Sequence, residues 1–285
     1  MIDDTIDCGK GALESSYDPR DYWYTPKDRG AFDWRTGFDI EHEIGVNLQV
    51  KDQNGSSSCG GQAWSYYGEV LEKIATGTYE ARSARWIYSH TRQPGGGSSG
   101  KDNCSFVIKK GFAIELYAPS YDNGKPPKES FMIQVPQLSK QALEDLEVSK
   151  ALSYLHVPVN IEVFAQAIQE NNGLVLVLNG QDNGTWRSAY PKPPKVKEWG
   201  HFLYAGKARI INGKKYIGVI NSWGTKTGDS GWQWLGEEWF NNPKIGVREG
   251  WTLAWDYKPA THKKLLIEII RVATKLVGLL TKKNG

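Results

Sequence analysis

The sequence predicts an α+β protein in which a mostly helical N-terminal half precedes a mostly sheet-forming C-terminal half. Three observations carry this expectation. Residues 59–75, CGGQAWSYYGEVLEKIA, place Ala63, Tyr66, Tyr67, Val70, Leu71 and Ile74 at spacings of three and four, the period of a helix with one buried face. Residues 201–211 and 214–220 are strand-like runs flanking Asn212-Gly213, and an Asn-Gly pair between apolar runs signals a tight hairpin. The pattern changes from one regime to the other near 125–160.

The elements follow in order. Residues 1–30 are polar, with Pro19, Pro26 and several Asp, and read as an extended arm before a unit that starts near Ala31-Phe32-Asp33-Trp34-Arg35. Ser56, Ser57 and Ser58 stand ready to cap the helix at 59–75. A second short helix is expected over 82–92, a loop over PGGGSSG at 94–100, and a third helix over 102–110 that stops at Gly111. Glu162–Glu170 has a helical period and ends at Asn171-Asn172-Gly173, after which Leu174–Leu178 reads as a buried strand. The Pro- and Lys-rich stretch 189–197 is a loop. Residues 259–285 hold a basic amphipathic helix, with Leu265, Ile269, Val272, Leu276 and Leu279 on one face. Such a helix docks on the chain's own body, on a partner or on a membrane surface.

Composition excludes several classes. With 285 residues the chain is long enough for one large domain or two modest lobes. The net charge of +3 argues against a dedicated polyanion binder, and no nucleic-acid partner is expected. Three cysteines, Cys8, Cys59 and Cys104, cannot all pair within the chain, so this is not a disulfide framework. No CxxC pair occurs, and neither a metal nor a cofactor is expected. Met1–Lys10 is acidic with no apolar run, and nowhere do roughly 18 apolar residues run on uncharged. The expectation is a soluble protein of a reducing compartment, cytoplasmic or virion-associated.

Cys59 opens the longest helix, where backbone N–H groups and the helix dipole favour a thiolate. A free cysteine also serves as a small buried filler, and position alone leaves both roles open. His201 opens one strand of the hairpin and Asn221 closes the other. With paired positions summing to 425, Asn221 faces Tyr204, and His201 lies about three residues out of line, or about 10 Å at roughly 3.3 Å per residue. A bulge in the ladder would let their side chains meet. Asn221 would then fix one ring nitrogen and leave the other to take a thiol proton. Gln53, six residues before Cys59, is placed to donate to an oxyanion beside the Cys59 N–H.

Together these pieces resemble the papain-like cysteine peptidases. The resemblance runs over about 32–257 through Phe32-Asp33-Trp34-Arg35, Val50-Lys51-Asp52-Gln53-Asn54-Gly55, Cys59, Gly96-Gly97, the segment with Gly111, Tyr117, Pro119 and Tyr121, Gly200-His201, and Asn221-Ser222-Trp223-Gly224-Thr225 with Gly228–Trp232. It implies a two-lobed fold over 31–258. A helical lobe at about 45–130 carries Cys59, an antiparallel β-barrel-like lobe at about 131–258 carries His201 and Asn221, and a cleft between them binds a protein or peptide substrate. It further implies that Cys59, His201, Asn221 and Gln53 form the catalytic set. Gly96, Gly97, Gly200, Phe202 and Trp223 line the substrate, with Gly96-Gly97 pairing to its backbone and Trp223 shielding the His201–Asn221 bond.

The sequence departs from the family pattern in places. Ser56 stands where a disulfide cysteine is usual, and Gly60-Gly61 stand where a Trp usually follows the nucleophile. Cys104 reads as buried filler and Cys8 as a bystander in the arm. Missing disulfides suit a bacterial, archaeal or phage-type member. Phe202, where many relatives have a small side chain, implies a shallow P2 pocket. The arm is shorter than an inhibitory propeptide and is expected to wrap the body or cross the cleft. The function expected is a cysteine endopeptidase. The alternatives are a weakly catalytic papain-fold binding protein and a cysteine amidase acting on cell-wall or isopeptide bonds.

Overall fold

A computed structural model of the chain describes residues 10–19, 21–27, 30–148 and 153–254. Cys8 and the helix expected at 259–285 lie outside the described residues.

The arm contributes a two-residue strand, β1 (Ala12–Leu13). β2 (Phe38–Asp39) leads into α1 (Ile40–Ile44), whose first turn is capped by the Asp39 carboxylate accepting from the Glu41 N–H. α2 (Cys59–Thr76) is the central helix and ends at Gly77 in the left-handed conformation. α3 (Ala84–Thr91) starts at Ser83, whose hydroxyl accepts from the Trp86 N–H. β3 (Ser98–Ser99) passes directly into α4 (Gly100–Lys110), which Ser99 caps through the Asp102 N–H. This helix therefore starts two residues before the expected 102, because the Ser99 cap starts it at Gly100. α5 (Glu129–Met132) and α6 (Lys140–Val148) complete this half.

The second half begins with β4 (Ser153–His156) and α7 (Ile161–Asn171), the latter capped by Asn160 and closed by Asn172 at φ 60°. β5 (Leu174–Gly180), β6 (Trp199–Ile211), β7 (Lys214–Ile220), β8 (Trp232–Gly236) and β9 (Val247–Ala254) follow, with a 3₁₀ turn over Glu237–Phe240. The strands form one antiparallel sheet in the order β4-β9-β5-β6-β7-β8, with β2 added beside β6. This corrects the barrel-like expectation. The sheet is open, since β4 and β8 are its two ends and do not pair with each other.

Strand alternation divides the core. Val175, Val177, Phe202 and Tyr204 face Trp64, Tyr66 and Tyr67 of α2. Leu174, Leu176, Leu178, Leu203 and Ala205 face Phe164 and Ile168 of α7 and the tryptophans 186, 199 and 239. β5 is buried along its whole length because both faces of the sheet are covered, which is why it reads as an unbroken apolar run. Gly61 has a packing reason: a Cβ there would stand 2.4 Å from the Ala84 carbonyl oxygen, so a side chain would push α3 off α2. Cys104 is fully buried in the α2-side core, as its filler reading expects.

Candidate active site

The 18-residue helix α2 carries Cys59 at its first position. Ser58 is the N-cap residue, but its side chain makes no cap bond. It is instead held within the loop by Ser56 Oγ at 2.8 Å and Gln62 Nε2 at 3.3 Å. The expected serine cap is thus absent, and the first-turn N–H groups stay turned toward the sulfur. Cys59 is fully buried. Burial pushes its thiol up to about 11, while N–H groups of Phe202, Gly11, Gly60 and Cys59 itself pull in the other direction. Desolvation outweighs the helix N-terminus here, and the thiol is protonated at neutral pH.

The hairpin supplies His201 and Asn221. Next to the turn the pairs sum to 425, as expected, from Ile211↔Lys214 to Lys207↔Gly218. The register then shifts between Ala205 and Lys207, and beyond the bulge Tyr204 pairs with Ile220. Asn221 therefore lies one place nearer His201 than the unbroken ladder allows. The His201 Nε2 stands 2.9 Å from Asn221 Oδ1. The orientation of the Asn221 amide is fixed on both sides: Oδ1 also accepts from the Ser222 N–H at 2.7 Å, and Nδ2 donates to Gln233 Oε1 at 2.8 Å. Nε2 therefore carries the proton and donates, and Nδ1 is left as the basic nitrogen. Nδ1 has no hydrogen-bond partner among the described residues. Burial is the main reason the ring falls to about 4; the Asn221 bond raises it and Lys10 lowers it further.

Trp223 lies over the pair, its ring centroid 4.6 Å from that of His201. Trp186 joins it edge-on at 5.8 Å and stacks on Trp199 at 4.9 Å, so an indole wall closes this side of the histidine. Gln53 is buried beside the loop, its N–H donating to the Ser222 carbonyl. Its side-chain Oε1 accepts from Ser222 Oγ at 2.6 Å, and Nε2 donates to the Ser56 carbonyl at 2.7 Å. Ser222 thus orients both Asn221 and Gln53. Nothing in the sequence pattern marks Gln233 as a partner of Asn221. Among the described residues no group of three His, Cys, Asp or Glu side chains could hold a metal ion.

The arm occupies this site. β1 pairs in parallel with β3, Ala12 opposite Ser98 and Leu13 opposite Ser99. Gly11 donates to the Cys59 sulfur, and its carbonyl accepts from the Ser98 N–H at 2.8 Å. Lys10 pairs with Asp182 at 2.9 Å and lies 5.0 Å from the Trp199 ring. Arg248 Nη2 donates to the Ala12 and Leu13 carbonyls at 3.1 and 2.8 Å, and Ser15 Oγ donates to Glu249 Oε2 at 2.6 Å. Two predicted lining residues make room for this segment. A Cβ on Gly200 would lie 2.4 Å from the Ala12 oxygen, and one on Gly97 would lie 2.4 Å from the Gly11 oxygen.

The arm pairs with Ser98–Ser99, next to Gly96-Gly97. The Gly97 N–H is taken by the Tyr88 hydroxyl at 3.1 Å and its carbonyl by the Gln93 N–H at 2.9 Å, so Gly97 serves by clearance. Phe202 is buried against the α2-side core, paired across the sheet with Val177.

The chain is similar over most of its length to several solved cysteine proteases. Xylellain from Xylella fastidiosa superposes with a TM-score of 0.73 at 21% identity, covering 88% of this chain and 97% of that one. Digestive procathepsin L 3 of Tenebrio molitor gives 0.62 at 16%, covering 87% and 76%. The bromelain protease of Ananas comosus, in complex with the E64 inhibitor, gives 0.58 at 21%, covering 77% and 99%. The fold is papain-like. No family model and no curated protein matches the sequence, so the papain-like fold is carried by tertiary structure over low identity. In this papain-like frame the helical half presents Cys59, and the open sheet presents His201 and Asn221. Among the described residues no helix is long and apolar enough to cross a membrane.

Proposed function

We propose that the chain is a cysteine peptidase whose nucleophile is Cys59 and whose base is His201, held latent by its own N-terminal arm. The observation that carries this reading is the His201 imidazole, fixed through Nε2 by Asn221 and left with a bare Nδ1 beside the helix that presents Cys59. That arrangement has little structural use, since it leaves a buried nitrogen unpaired, and it suits a proton acceptor.

Chemistry requires the arm to leave. Water then reaches both groups, and desolvation no longer holds the thiol and imidazole neutral. Nδ1 takes the thiol proton, and the thiolate attacks a peptide carbonyl carbon. The new C–S bond forms as the carbonyl pair moves to oxygen, where the Cys59 N–H and the Gln53 amide stabilise it. Collapse expels the amine, which takes its proton from His201. Water, deprotonated by His201, then releases the acyl group and restores the thiol. The substrate is a protein or peptide bound in extended form along Ser98–Ser99, where the arm lies.

An epoxide inhibitor of the E-64 type tests the reading. It should label wild type between about pH 5 and 8 and leave Cys59→Ala unlabelled. Cleavage of casein rather than peptidoglycan stem peptide separates a peptidase from an amidase. A chain that takes no label with the arm displaced is a binding protein instead.

A further inference from the structure

We propose that Glu129 is a positioning residue for this chemistry: one carboxylate that ties the loop before the nucleophile to the strip beside the substrate. The proposal rests on the peptidase reading above. Glu129 opens the short helix α5. Its Oε2 accepts from the Ser57 N–H at 2.8 Å, two residues before Cys59. Its Oε1 accepts from the Tyr88 hydroxyl at 2.6 Å, and that hydroxyl accepts from the Gly97 N–H at 3.1 Å. A single chain of bonds therefore runs from Ser57 through Glu129 and Tyr88 to Gly97.

The loop has need of such a tether. The Glu129–Ser57 bond ties this loop to α5, 72 residues along the chain. Ser56, which stands where the family resemblance places a disulfide cysteine, bonds within the loop to the Gln53 carbonyl and Ser58. The carboxylate is mounted on a firm base. Met132 of α5 is fully buried with Ala84 and Tyr88 of α3, and the Arg85 guanidinium lies 4.1 Å from the Phe131 ring. Both bonds to Glu129 are charge-assisted, the class whose loss is felt most. Removing the carboxylate frees the Ser57 amide and releases the Tyr88 hydroxyl that holds Gly97, so the nucleophile loop and the strip lose their fixed relation.

The test combines amide exchange with kinetics in the full-length chain carrying Gly11→Val, which displaces the arm. In Glu129→Ala, exchange at both the Ser57 and Gly97 amides should rise about tenfold or more, and kcat/KM per E-64-titrated site should fall by about tenfold or more. Tyr88→Phe, a gentler change, should free the Gly97 amide alone and raise KM for substrates that reach the strip, with kcat nearly unchanged. Combining the two substitutions should add little to Glu129→Ala. Unchanged exchange at Gly97 in Glu129→Ala, or unchanged kinetics per titrated site, overturns the proposal. Failure of the Gly11→Val chain to take label at Cys59 sinks the peptidase reading instead, and the exchange arm tells the two apart.

Discussion

Gly11 lies directly on Cys59. Its N–H donates to the sulfur, and its α-carbon is so close to the nucleophile loop that a Cβ would stand 2.1 Å from the Ser57 carbonyl oxygen. Gly11 turns its carbonyl to Ser98, accepting from the Ser98 N–H at 2.8 Å.

Gly11→Val therefore separates arm from site. The β-branched side chain cannot fit against Ser57 backbone, while the residues of the peptidase body are untouched. Inhibitor labelling of Cys59 should speed up at least about tenfold, the equivalent of roughly 1.4 kcal/mol of lost arm docking. Equal labelling rates in wild type and variant would show that the arm is not what restrains the thiol.

Asn221→Ala removes the acceptor that fixes the His201 tautomer. With the arm displaced, kcat should fall by about ten- to a hundredfold with little change in KM, the range expected for loss of a bond to a group that becomes charged. Gln233→Leu should give a smaller loss in the same direction, because it frees only the far side of the Asn221 amide. A wild-type kcat in Asn221→Ala, measured per titrated site, would contradict the assigned geometry.

Burial of Cys59 and His201 gives the folded chain two pH limbs. His201 sits at about 4 in the folded chain against 6.5 when free, so the unfolded chain binds the proton first as pH falls. Its contribution is whole above 6.5 and is lost as pH falls toward 4. Cys59 sits at about 11 against 9.0, so its contribution is whole below 9.0 and is lost as pH rises toward 11. Each limb is worth on the order of 3 kcal/mol. Denaturation midpoints measured across pH should show the acid limb flatten in His201→Gln and the alkaline limb flatten in Cys59→Ala.

Phe202 occupies a buried position where the resemblance places the wall of the main specificity pocket. Phe or Tyr at P2 should be disfavoured against smaller aliphatic side chains in a peptide-library profile. Phe202→Ala should relax this preference by about tenfold, the scale of a few methylenes in an apolar pocket, at some loss of core stability. A wild-type preference for aromatic P2 would count against this wall.

The parts of the fold set by local chemistry were legible. α2, α7 and the hairpin follow from apolar period, from Asn160 and Asn172 at the ends of one helix, and from Asn212-Gly213 at the turn. The meeting of His201 with Asn221 needed a bulge that sequence allowed without locating; Gly206 lies at it, and a Cβ there would press to 2.5 Å from Ile40 Cγ2. What was not legible depends on distant partners. Ser57 meets Glu129 across 72 residues, Ser15 meets Glu249 across 234, and no local pattern records either pairing. The helix start that favours a Cys59 thiolate is visible in sequence, whereas the burial that pushes the thiol up to about 11 is not.

The indole wall has an optical consequence. Trp199 lies under Lys10 of the arm and Trp223 against His201, and both touch Trp186. Departure of the arm wets one ring, and protonation of the imidazole quenches another. Intrinsic fluorescence should thus serve as a label-free clock for the proposed release of the arm, with red-shifted emission timing it and a pH-dependent fall in intensity marking the charging of the histidine.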